Sequence, residues 1–189
     1  MAISYTLIVA LMYITILSFG IANLLSILAQ ILNKKNHTDA TIVHLNWIII
    51  LLIIHFNMAW GAVLLATVDS WSYYEFLVIV LGPILAFFTS NVIAPHPNED
   101  NNSAALVSNY INQSHQFFIL FGMIQTWVIG TEYMLQHTLT GSNFFNIVLI
   151  LLAIAMFRTK SYKIHIYGVI AAWAAYLTAI ALRSLAVIN

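Results

Sequence analysis

The chain has 189 residues, of which 62% are hydrophobic and only 6% charged, and its six basic and six acidic side chains cancel. A soluble domain carries about 25% charged residues, so a chain this poor in charge cannot clothe itself in polar surface and must meet lipid. The few Lys and Arg form no basic stripe, which excludes a nucleic-acid partner; the absence of Cys excludes disulfides, thiolate metal sites and iron–sulfur clusters.

A bilayer core asks for about 20 apolar residues in helical form. In chain order six segments answer that demand, at 4–32, 42–68, 72–94, 104–135, 143–157 and 162–188. The first has no Lys or Arg before its apolar run, and the run continues to Leu32, so it reads as a retained span and not as a cleaved signal peptide. The second contains "HLNWIIILLIIHFNMAWGA", with two like pairs each eleven residues apart, His44 with His55 and Asn46 with Asn57. Eleven residues close three helical turns with about 20° to spare. The two histidines therefore share one face and the two asparagines share another, roughly opposite. Neither face belongs in hydrocarbon, which predicts that helix two lies at the centre of a bundle.

The third span carries Glu75, Gly82, Ala86 and Thr89 at helical spacing, an inward-facing stripe, with Pro83 freeing a backbone carbonyl and Asn91 near the end. The fourth aligns His115, Gly122, Thr126 and Tyr133, with Gln125 and Glu132 on a neighbouring face. The fifth is the shortest and is apolar after Asn146, which suits a peripheral helix. The sixth aligns His165, Ala172, Tyr176, Ala179 and Arg183. The alternating segments of a closed barrel are absent. The expected fold is all-α, a single polytopic membrane domain of six transmembrane helices.

Cations in short loops set orientation. Lys34 and Lys35 lie in the first loop, Arg158, Lys160 and Lys163 in the fifth, and none in the second or fourth. The odd loops are thus expected on the cytoplasmic side of a cell inner (plasma) membrane, with both termini non-cytoplasmic. Threading the chain this way puts His44, His115 and His165 in the inner half, with Asn91 beside them. Glu75 and Glu132 fall in the outer half, Gln125 somewhat deeper, and His55 and Asn57 between. If these faces converge, they line a polar path.

Three functional readings follow. Histidine titrates near neutral pH, so the His, Glu and Asn residues could conduct or carry protons, ions or a small solute. The chain could instead be a structural or accessory subunit of a membrane complex, its polar groups serving as interhelical hydrogen bonds; Asn23, Asn46 and Asn57 suit that role. The third reading is a haem b or metal-binding protein, which needs histidines at matched depth; His55 and His115, with Glu132, are the candidates. Signatures such as H-E-x-x-H are missing and no nucleophile stands beside a base, so neither an enzyme nor a resident cofactor is expected. The expected partners are the lipid bilayer and either a second copy of the chain or another membrane protein.

The stretch "LGPILAFFTSNVIAPHPNEDNNSAALVSNYINQSHQFF" resembles a pattern in small multipass bacterial membrane proteins of unassigned function. In these a proline-containing span ends in a second proline, an acidic loop follows, and a Tyr precedes a Phe-Phe pair. Here those residues are Pro83, Pro95, Glu99 with Asp100, Tyr110, and Phe117 with Phe118; "HLNW" followed by "HFNMAW" is similar too. The resemblance covers the central third of the chain. It implies a bacterial multipass protein and brings no activity with it.

Overall fold

A computed structural model describes residues 5–32, 39–65, 68, 70–93, 103–138 and 141–188. Six helices account for nearly all of them: α1 (Tyr5–Leu32), α2 (Asp39–Leu65), α3 (Tyr73–Val92), α4 (Ser103–Gln136), α5 (Ser142–Phe157) and α6 (Tyr162–Ile188). No strand occurs among the described residues. Each expected span is a helix, with ends within a few residues of those read from hydropathy. Lys34, Lys35, Glu99 and Asp100 lie outside the described residues, as does the side chain of Arg183.

Helices form because lipid offers no partner to an open backbone, so each span must satisfy its own N–H and C=O groups. Five of them are long and apolar enough to cross a bilayer, and α5 has 16 residues. At about 1.5 Å per residue α5 is shorter than a hydrocarbon core of about 30 Å. The ends carry recognisable stops. Ser72 and Glu75 close a reciprocal capping box at the start of α3, the Ser72 N–H donating to Glu75 Oε2 at 2.8 Å and the Glu75 N–H to Ser72 Oγ at 3.3 Å. His137 takes a left-handed conformation (φ 54°) just beyond the end of α4.

The helices alternate in direction. An arc of α1, α3, α4, α5 and α6 forms around α2, which packs on α1, α3, α4 and α6. Helix α2 is the most buried of the five long spans, although Asn57 on its asparagine face is exposed. Helix α5 packs on α4 and α6 at the rim. The end holding Arg158, Lys160 and Lys163, at the α5–α6 junction, is called the basic end below, and the opposite end the far end.

Between lipid tails and apolar side chains there is little hydrophobic drive, so close packing and interhelical hydrogen bonds decide the fit. Gly82 shows this. Trp127 of α4 lies across Gly82 of α3 so closely that a Cβ there would fall 2.3 Å from the indole ring. The same indole donates to the Val78 carbonyl at 2.6 Å, in the turn that precedes Pro83. Asn23 of α1 donates to the Ser90 carbonyl of α3 at 3.0 Å, and Thr6 to the Val68 carbonyl at 3.0 Å. In the core, fully buried Trp47 of α2 meets Phe117, Phe118 and Phe121 of α4 edge-on, with ring centroids 5.4, 5.2 and 5.6 Å away.

Candidate functional site

The polar pairs of α2 address opposite neighbours. His44 turns toward the end of α3 and His55 toward α1, whereas Asn46 turns toward α6 and Asn57 lies exposed beside α5 and α6. His55 has no exposed surface. Its Nδ1 lies 2.8 Å from the Leu51 carbonyl of its own helix; a carbonyl can only accept, so Nδ1 carries the proton. The ring fills a notch in α1 made by Gly20, where a Cβ would come within 2.5 Å of Nε2 and 2.9 Å of Cδ2. Nε2 has no hydrogen bond of its own. His55 is therefore a tightly seated wedge among α1, α2 and α3.

At the basic end three rings form a row. His44 Nε2–H donates to the Ile93 carbonyl at the end of α3, at 2.6 Å. Its ring lies 6.0 Å from that of Tyr110, which lies 5.2 Å from that of His165. The Thr159 carbonyl, 3.2 Å from His165 Nε2, fixes the proton there. Nδ1 is then left to accept, and the Tyr110 hydroxyl donates to it at 3.0 Å. The row ties α2, α4 and α6 together, with every hydrogen bond named here directed to another part of the chain.

Above the row, toward the far end, Trp47 and its three phenylalanines fill the bundle. Beyond them Gln125 of α4 donates to the Tyr176 hydroxyl of α6 at 3.3 Å. Asn46 is engaged at its side of the bundle, accepting from the Trp173 indole at 2.9 Å and donating to the Ile42 carbonyl at 2.8 Å. The expected continuous polar path is thus divided. A buried aromatic plug separates the His44–Tyr110–His165 row from the Gln125–Tyr176 pair, because α4 turns Phe117, Phe118 and Phe121 inward.

Near the far end, α2, α5 and α6 enclose a pocket of about 390 Å³. Asn57 comes from α2, Asn146 from α5 and Tyr176 from α6, while Phe56, Trp60 and Phe145 supply much of the apolar wall. Neither Asn57 nor Asn146 has a hydrogen bond from its side chain to any other described residue. Asn57 lies 6 residues inside the end of the apolar span Ile42–Val63, about 9 Å of helix rise. Asn57 is exposed and Asn146 half-buried, so neither amide is sealed from a partner outside the bundle.

The remaining candidates lie apart. His115 is exposed, its Nδ1 bonded to the Asn112 carbonyl and its ring beside Phe157 of α5. It does not face His55. Asn91 is exposed and bonds back to Phe87. Glu75 serves the capping box, and half-buried Glu132 takes part in an interaction within the chain. Among the described residues no three His, Asp or Glu side chains gather as a metal site would require. Sequence reasoning gave no role to Gly20 or Trp173. For Tyr110 a signal existed: Tyr110, Ser114, Phe117 and Phe121 fall at i, i+4, i+7 and i+11, the spacing of a buried helix face.

Apolar helices of this length, packed with polar groups turned on one another, define a polytopic helical integral membrane protein. Compared with family models, with curated proteins and with solved structures, the chain has no match.

Proposed function

We propose that this protein is a carrier for a small solute that has both hydrogen-bonding and apolar parts, bound in the pocket between α2, α5 and α6. The observation that carries the reading is the pair of unengaged amides, Asn57 and Asn146, in a largely apolar pocket of about 390 Å³. Small-molecule sites are typically about 300–1,000 Å³, apolar, with a few convergent polar groups. The Trp47–Phe117–Phe118–Phe121 plug favours a carrier that rearranges over an open pore or an unbroken proton relay. The protein is placed in a plasma (inner) membrane with the basic end cytoplasmic, supported by Arg158, Lys160 and Lys163 at one junction.

The test is a thermal-melting screen of the purified protein against small amphipathic solutes, followed by proteoliposome uptake of those that stabilise it. Wild type is expected to be stabilised and to take the solute up, and the N57L/N146L double variant to do neither. Proton flux across a pH gradient that needs no solute and vanishes in His55→Ala would overturn the reading in favour of a relay. A stoichiometric partner protein retained through mild detergent, with no stabilising solute, would favour an accessory subunit. That second reading draws on the row at the basic end, where hydrogen bonds join α2 to the end of α3 and α4 to α6.

A further inference from the structure

A second concavity lies on the other side of the bundle, between α3, α4 and α5. It holds about 770 Å³ and opens toward lipid. Its walls are apolar for most of their length, with Leu81 and Leu85 from α3, Met123 and Trp127 from α4, and Ile154 from α5. The floor is shallow because Gly122 brings α4 close to Ala153 of α5; a Cβ on that glycine would meet the Ala153 Cβ at 3.5 Å. Along α4 the walls run from Phe118 to Trp127, nine residue steps, or about 13.5 Å of helix rise. Half of a bilayer core is about 15 Å. The groove is as long as one leaflet is deep, and it starts at the basic end.

Arg158 stands at that mouth, the one charged residue among those lining the groove. Its side chain is exposed and has neither a hydrogen bond nor an ion pair with any described residue. Lys160 and Lys163 follow it within five positions, both exposed. An apolar channel one leaflet long with an unengaged guanidinium at its headgroup end complements an acyl chain joined to an anionic head, such as the phosphate of a lipid.

We propose that the α3–α4–α5 groove is a specific site for an anionic phospholipid, one acyl chain lying along Met123, Trp127 and Ile154 and the headgroup phosphate held by Arg158. A guanidinium grips phosphate through two parallel N–H donors, whereas a zwitterionic headgroup offers the same phosphate with a competing ammonium. Solute binding at the far-end pocket is a separate matter, because the two concavities share no lining residue.

The experiment is native mass spectrometry of the protein extracted from vesicles of equal parts phosphatidylglycerol and phosphatidylcholine. Wild type is expected to retain one phosphatidylglycerol in preference to phosphatidylcholine by about fivefold, the contribution of one basic side chain near an anionic headgroup. Arg158→Gln, a surface change that leaves the helix packing intact, should retain both lipids about equally. Ile154→Trp, which fills the groove from an exposed position, should retain less of either. Wild type without preference, or a preference undiminished in Arg158→Gln, overturns the proposal. A lipid-free species with the mass of two chains, lost in Ile154→Trp, would also overturn it, since the occupant would then be a second copy.

Discussion

The two ends of the bundle treat polar side chains in opposite ways. At the basic end His44, Tyr110 and His165 lie in a row whose named hydrogen bonds all end on the chain itself, under a ceiling formed by Trp47 and three phenylalanines. At the far end Asn57 and Asn146 sit in a pocket with nothing from the described chain to bond. Both ends draw on the same α2, and both use polar residues at membrane depth. The difference shows that a polar residue within a span says little by itself; the question is whether the chain has used up its hydrogen-bonding capacity.

The largest effect is expected where the basic end is densest. Trp47→Ala removes the centre of the aromatic plug and should cost about 3–5 kcal/mol, as large-to-small core changes do, read by unfolding in mixed micelles. A loss under about 1 kcal/mol would mean that the plug is loose. Tyr110→Phe keeps the ring but strips His165 Nδ1 of its donor, and a buried group left unpaired costs about 1–3 kcal/mol. The same assay reads it, and solute binding should not change. The smallest stability effect belongs to the far end. Asn57→Leu removes an amide with no partner, so stability should move by no more than about 0.5 kcal/mol. Solute affinity, measured by melting shifts, should fall about tenfold, the equivalent of about 1.4 kcal/mol. If Asn57→Leu destabilises as much as Tyr110→Phe, the contrast between the two ends collapses.

Much of the fold was legible because lipid simplifies the code. With no water to satisfy open backbone, runs of apolar residues become helices, and the six spans could be read directly from hydropathy. The placement of α2 was legible in part: the eleven-residue spacing calls for neighbours on both sides, which His44, His55 and Asn46 have, whereas Asn57 is exposed. The division of the polar residues was not. His115 and His165 look alike in sequence, each near the basic end of a span, yet one is exposed and the other fully buried. What separates them is the rotation of α4, set by Phe117, Phe118 and Phe121 seeking Trp47, a contact between distant parts of the chain. The notch at Gly20 is likewise invisible until α1 and α2 are side by side, because a lone glycine in a span has several uses.

The central position of α2 also has a bearing on how the molecule is made. Asn46 finds its Trp173 donor 127 positions further along the chain. At synthesis rates of about 5–20 residues per second, α2 waits about 6–25 s for α6 to emerge. Throughout that interval its amides and imidazoles must be sheltered by the insertion machinery, by water at the interface or by early contacts with α1. Assembly of this bundle is accordingly a race in which a helix with polar groups on two faces enters second and is completed last.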